Sequence, residues 1–207
     1  METASGIATI VCLLLALPLL IQILPGALSC MTRSKEIINF ERSLSLARSR
    51  DALVLLLLFP FCYFCARYRV VPCRLVEGAG GFLPALGWTL AYVGGYVAVR
   101  ELCTLFFGPR EGDDRILQAS RRGPVTLFVP FVVVMVLTVA LTFPFAAVQP
   151  YVKWILQGEI LFFYGMAFLR RGQVFSTFNS FFKARWYLLM TEFLPSAALA
   201  SACIWLP

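Results

Sequence analysis

The sequence predicts an all-α protein, a polytopic transmembrane bundle of about six spans. Three observations carry that prediction. First, 60% of the 207 residues are hydrophobic and only 14% are charged, with a mean hydropathy of +0.81. A soluble domain of this length needs more charge to cover its surface. Second, the apolar residues gather into runs near the ~20 residues that carry a helix across the hydrocarbon core of a bilayer. Third, Lys and Arg lie almost entirely between those runs and are shared unequally among the loops. The net charge of +7 therefore reads as membrane topology and contact with anionic lipid headgroups, not as a nucleic-acid surface. One integral-membrane domain, residues 1–207, is expected.

The spans follow in order. The first is Ile7–Leu28, about 33 Å long as a helix. The second begins at Ala52, and its clean part ends at Ala66. Snorkelling of Arg67 and Arg69 would let it continue to Val71. The third is Phe82–Phe107, the fourth Val125–Val148 after the basic "RRGP", the fifth Val152–Leu169 and the sixth Trp186–Leu206. Pro18, Pro60, Pro130, Pro144 and Pro195 fall in these runs. They are expected to kink or locally unwind the helices, which membrane bundles tolerate.

Loop charge sets the orientation. Arg33, Lys35, Arg42, Arg48 and Arg50 follow the first span; Arg110, Arg115, Arg121 and Arg122 follow the third; Arg170, Arg171, Lys183 and Arg185 follow the fifth. The other side holds Arg67, Arg69, Arg74 and Lys153. Thirteen against four is a strong positive-inside bias. If the second run did not span, the count would be nine against eight, which prefers neither orientation. Six spans are therefore expected, with both termini on the non-cytoplasmic side of a bacterial inner membrane. "METASGIATI" lacks the basic n-region of a secretory signal.

Two cytoplasmic segments have helical periodicity. In 31–50, Ile37, Phe40, Leu44 and Ala47 recur at spacings of three and four; in 173–185, Phe175, Phe178 and Phe182 do the same. Both predict amphipathic helices, lying in the headgroup layer or packed against the bundle or a partner protein.

The chemistry-bearing residues inside spans are few: Arg100 and Glu101 in the third, Glu159 in the fifth, Glu192 in the sixth. A charge near a helix centre costs about 2.5–3.5 kcal/mol on insertion scales, so such residues turn inward and find partners. Arg100 and Glu192 each lie seven residues from the cytoplasmic end of their span, about 10 Å deep. Matched in depth and opposite in charge, they are expected to pair, with Glu101 nearby. Glu159 lies deeper, about 15 Å from Leu169, with no cation at its level. Such a cluster serves either as a proton, ion or substrate site or as a structural pair that fixes helix register.

Other signals are weak. The chain has no His, which removes the commonest metal ligand and general base. Cys62 and Cys65 in "CYFC" have redox spacing, but buried Cys also serves as a small hydrophobe. "GDD" (Gly112–Asp114) is flanked by Arg110, Arg115 and Arg121 and reads as a solvated turn. No cofactor, metal or catalytic residue is expected.

The stretch "YLLMTEFLP" resembles a signature near the C-terminus of an uncharacterised integral-membrane family of Bacteroidetes, a domain of unknown function. The family pattern is approximately Tyr-Leu-Cys-Thr-Leu-Glu-Ile-Leu-Pro. Tyr187, Leu188, Glu192, Leu194 and Pro195 match it in register; Leu189, Met190 and Thr191 depart from it, and Phe193 is a mild change. "LFFG" (Leu105–Gly108) and "LRRG" (Leu169–Gly172) are also similar to the family pattern. The resemblance implies an inner-membrane protein without an assigned activity, from genes often found beside a tetrapyrrole-pathway synthase. Haem ligation fits poorly with a chain that lacks His. The expected function is a non-enzymatic accessory, assembly or transport-like component with a charged intramembrane site, open to a membrane-protein partner. The competing expectation is a membrane-embedded enzyme acting on a lipid or isoprenoid, although no His box, Asp-x-x-Asp pair or Ser–His arrangement is present.

Overall fold

A computed structural model of the protein describes residues 2–33, 36–37, 39–40, 43–71, 73–107, 114–176 and 181–205. All regular structure among the described residues is helical. The elements are α1 (Glu2–Thr32), α2 (Leu44–Arg67), α3 (Arg74–Glu77), α4 (Phe82–Phe107), α5 (Asp114–Thr142), a 3-10 turn (Gln149–Tyr151), α6 (Val152–Ser176), α7 (Phe181–Leu188), a π-helical turn (Leu189–Phe193) and α8 (Leu194–Trp205). Five helices, α1, α2, α4, α5 and α6, contain stretches long and apolar enough to cross a membrane. The sixth apolar run is helical too, in three pieces from Phe181 to Trp205.

Burial sorts the helices into centre and periphery. Within their most apolar stretches, α2 and α5 are 44% buried and the other three are 17% buried. The centre is filled by Ile23, Leu53, Leu57, Val129, Val132 and Met135, all fully buried. Edge-on aromatic contacts join α2 to α5, with Phe61 ring centroids 5.3 Å from Phe128 and 5.7 Å from Phe131. Leu14, Ile21, Leu55, Leu141 and Leu161 point outward and are exposed. Helices that are apolar on both faces fit a hydrocarbon solvent, where leucine outside the bundle costs nothing.

Several boundaries differ from the sequence expectation. The helix of the second run starts eight residues before Ala52, at Leu44, so Arg48 and Arg50 ride on α2 rather than in a loop. It stops at Arg67 and does not extend to Val71. Arg69 adopts a left-handed φ of 48°, and its guanidinium donates to the Glu77 and Ala79 carbonyls at 2.6 and 3.3 Å. Those bonds tie down the turn into α3. The fourth run begins earlier, within α5, and ends at Thr142, so Pro144 lies in a turn. The fifth continues through "LRRG" to Ser176, since Arg and Gln propagate a helix well. Pro18, Pro60 and Pro130 sit inside helices, as do Pro25 and Pro124.

The first amphipathic segment is not a single helix, because Ser43 is extended and α2 starts after it at Leu44. Ile37 and Phe40 are helical and buried. The Phe40 ring sits against Gly26, where a Cβ would come within 2.9 Å of it, and Ile37 lies 3.4 Å from the Cβ position of Gly123. This pair packs on α1 and α5. Ala47 is buried as part of α2. The side chain of Leu44 lies outside the described residues, as do Lys35 and Arg42. In the second segment Phe175 is buried at the end of α6, whereas Phe182 on α7 is 86% exposed. They therefore share no buried face; Phe178 lies outside the described residues.

Candidate functional site

The site is assembled from three helical pieces. On α4, Tyr96, Arg100 and Thr104 recur every four residues, so they line one face. The Thr104 hydroxyl donates to the Arg100 carbonyl at 2.8 Å. On α6, Tyr164 and Arg171 are seven residues apart and again share a face. The third piece is the π turn, which carries Glu192.

Local chemistry accounts for the π turn. Pro195 has no N–H, and in a regular helix its ring would clash with the carbonyl of Thr191, four residues back. The backbone widens instead: Leu194 N–H reaches Leu189 O, five residues away. Side chains then satisfy the neighbouring carbonyls. The Ser196 hydroxyl and the Tyr164 hydroxyl both donate to Glu192 O, at 2.8 and 3.2 Å, and Thr191 donates to Tyr187 O at 2.6 Å. This is how membrane helices tolerate Pro.

Glu192 is the hub. Arg100 Nε donates to its Oε1 at 3.1 Å, Arg171 donates to the same oxygen, and Tyr96 OH donates to Oε2 at 3.3 Å. Exposure is 7% for Arg100, 3% for Arg171 and 4% for Glu192, so all three charges are out of contact with solvent. Arg100 also donates to the Arg121 carbonyl at 3.3 Å, which ties α4 to α5. The Arg171 guanidinium stands 5.3 Å over the Phe175 ring. Its Nε is buried and unpartnered among the described residues. The sequence reading therefore places Arg100 and Glu192 where the structure brings them together. Glu101 is exposed and outside the cluster.

Two buried guanidiniums share one carboxylate. The described cluster thus carries an excess of one positive charge. Desolvating charges in this way seldom stabilises a fold over a well-packed apolar core. Its use lies in fixing register, or in presenting charge to something that binds. A metal ion is disfavoured here, because the cations flanking Glu192 repel it. Among the described residues no three His, Cys, Asp or Glu side chains converge.

Arg171 was not a candidate from sequence because "LRRG" reads as a loop. Its seven-residue spacing from Tyr164 is the signal that the loop assignment hid. A second buried cation, Arg50, was hidden the same way. It is fully buried on α2 and donates to Thr126 at 3.0 Å and Asp51 at 2.8 Å. Arg122 reaches the same aspartate at 3.5 Å. Arg170 donates to the Met31 and Thr32 carbonyls, covering the C-terminal end of α1.

The family-like residues have structural roles. Leu188 is buried and lies 3.2 Å from the Cβ position of Gly172, where α6 and α7 approach closely. Tyr187 sits 6.1 Å from Phe175, Pro195 is buried behind the π turn, and Leu194 is exposed. Cys62 and Cys65 are buried free thiols in the core. Asp113 and Gly112 lie outside the described residues.

Glu159 stands apart from the cluster. Thr138 of α5 donates to its Oε1, and its Oε2 is buried without a partner among the described residues. Lys153, six residues earlier on α6, is taken by Glu77 at 3.0 Å. Comparison with known protein families, curated proteins and solved structures finds no match.

Proposed function

We propose that the chain is a multi-pass inner-membrane component without catalysis of its own, an accessory or transport-like bundle whose working part is the Arg100–Arg171–Glu192 centre. The observation that carries this reading is the unbalanced charge: two buried guanidiniums around one carboxylate, with a buried Arg171 N–H left over. An anionic group fits such a centre, either a lipid headgroup phosphate or a carboxylate of a membrane-protein partner. The layer lies on the side that the thirteen-to-four loop bias assigns to the cytoplasm. In this reading the helical run from Phe181 to Trp205 is a sixth span, and both termini are non-cytoplasmic. Kinship with the Bacteroidetes family rests on Tyr187, Leu188, Glu192, Leu194 and Pro195.

Native mass spectrometry after gentle extraction tests the role. A retained anionic lipid or stoichiometric partner that is lost in Arg171→Gln supports it; identical spectra for parent and variant, with nothing bound, overturn it. Topology is checked separately. A Cys placed at Asp113 in a Cys-depleted chain should resist a membrane-impermeant thiol reagent added from outside.

One observation favours the competing reading, a membrane-embedded enzyme acting on a lipid or isoprenoid. A cleft of about 1000 Å³ opens at the opposite end of the bundle, with Tyr63, Arg67, Tyr68 and Arg69 among its walls. Aromatic and guanidinium groups together fit an amphipathic anion. A lipid retained by the parent but lost on Tyr63→Ala and Arg67→Gln, and unaffected by Arg171→Gln, would move the working part to that cleft.

A further inference from the structure

We propose that Glu159 is a proton-binding site: a carboxyl that carries its proton at neutral pH within the bundle. It is half-buried on α6, seven residues after Val152, about 10 Å along the helix. Its neighbours one turn away on α6 are Ile155, Leu156, Phe162 and Phe163, all apolar, and Leu156 and Phe163 are buried. Its only polar contact among the described residues is the Thr138 hydroxyl. A hydroxyl donates or accepts, so that bond serves the neutral acid as well as the carboxylate. The second oxygen is buried and meets no donor among the described residues. An ionised carboxylate would leave that oxygen's charge unsolvated, whereas in the neutral acid an unmatched oxygen costs far less.

The surrounding charges leave the site neutral. From α6 itself, Lys153 is paired with Glu77, and the Tyr164 hydroxyl is engaged with Ser196 and the Glu192 carbonyl. Arg170 and Arg171 lie more than two turns further on and are bound to α1 carbonyls and to Glu192. From α5, Arg121 and Arg122 stand at the far end of the helix, sixteen or more residues from Thr138. From α7, Lys183 and Arg185 belong to that same far end. At the turn after α2, Gln157 of α6 donates to Val70 O at 2.9 Å, which brings no charge. Glu159 and Glu192 thus sit on opposite terms: one has two guanidiniums, the other a hydroxyl and hydrocarbon. A carboxyl that takes up and releases a proton inside a span is a general device for linking movement of a bundle to pH or to ion flow. The assignment requires only that α5 and α6 lie in the membrane, and stands apart from the accessory role proposed above.

The test uses the full chain in vesicles with dicyclohexylcarbodiimide, an apolar reagent for neutral carboxylic acids. The carboxyl oxygen bonds to the central carbon, one C=N π bond opens and the acid proton moves to that nitrogen. The resulting O-acylisourea rearranges by acyl transfer to a stable N-acylurea, read by peptide mass spectrometry. The expected result at pH 7, where an ordinary glutamate with pKa about 4.3 is ionised, is label on Glu159, none on Glu192, and loss of the label in Glu159→Gln. The second readout is the infrared carbonyl band of a protonated acid. It should be present at pH 7, absent in Glu159→Gln and shifted, not lost, in Thr138→Val. This band decides the matter if the reagent fails to reach the site. Absence of a band that depends on Glu159, or label on Glu192 in its place, overturns the proposal.

Discussion

Glu192 and Glu159 lie in the same bundle, on consecutive apolar runs, and the structure treats them oppositely. Glu192 is gripped by Arg100, Arg171 and Tyr96 at a place where a π turn, a proline and three hydroxyls have been fitted around it. Glu159 receives one hydroxyl from Thr138 and nothing else among the described residues. With Glu159 assigned as a protonated acid, an acid in a span has two solutions. It is either paired, in which case its partners must be brought to it from other helices, or left to hold a proton, in which case apolar neighbours suffice. The first solution couples α4, α6 and the last helical run; among the described residues the second joins α5 and α6.

The largest effect expected from breaking this contrast is Glu192→Gln. It strands two buried guanidiniums, and removing one partner of a buried pair costs about 3–5 kcal/mol. Reversible unfolding in detergent micelles should show a loss in that range. Adding Arg100→Gln should restore only part of it, because Arg171 still lacks its carboxylate. Full recovery in the double variant would show that Arg171 does not share the site.

Removing Arg171 instead relieves the excess charge. Arg171→Gln leaves the Arg100–Glu192 pair intact, so its cost should be that of a hydrogen bond to a charged group, about 1.5–3 kcal/mol. A loss equal to that of Glu192→Gln, measured in the same unfolding assay, would mean that Arg171 is the main partner.

A control away from both acids is Gly26→Ala. The new methyl would meet the Phe40 ring at 2.9 Å, and overpacking of this kind costs about 1–3 kcal/mol. Limited proteolysis should then cut more readily near Phe40, while carbodiimide labelling stays confined to Glu159. A changed labelling pattern would show that the two regions are coupled through α1 and α5.

The smallest effect belongs to the Glu159 site. Thr138→Val removes one side-chain hydrogen bond, and such bonds between membrane helices average about 0.6 kcal/mol. Glu159→Gln should be similarly mild, since a neutral amide replaces a neutral acid. A loss in the Glu192 range, seen by the same unfolding measurement, would indicate an ionised Glu159 with a partner.

How much of the site the sequence revealed depends on where each residue lies in its helix. Arg100 and Glu192 are matched by counting from the ends of their apolar runs, which works because helix rise per residue is fixed and the third run stays helical throughout Phe82–Phe107. Arg171 and Arg50 escaped the same reasoning. Each was counted as a loop cation useful for topology, whereas α6 runs past it and α2 begins before it. Apolar periodicity marks where hydrocarbon ends, not where a helix does, because Arg, Lys and Gln are good helix formers. The Phe175, Phe178 and Phe182 spacing does not put a common face in the core: Phe175 is buried on α6, Phe182 is exposed on α7, and Phe178 lies outside the described residues.

Sequence by itself determined the helical class, the membrane as solvent and the presence of costly acids inside apolar runs. All three follow from composition and from the backbone's need to close its own hydrogen bonds in hydrocarbon. The tertiary structure alone decided which cations turn inward. Arg171 rather than Glu101 joins the cluster, Arg50 finds Thr126, and Glu159 meets Thr138 and, among the described residues, no cation. The reason is physical: where a side chain points around a helix is set by crossing angles and by local breaks such as the π turn at Leu189–Phe193. A single inserted residue there rotates every later side chain by about 100°. Pro195 prompts that turn locally, but the Tyr164 and Ser196 hydroxyls that brace it meet across 32 residues of sequence, which no one-dimensional pattern records.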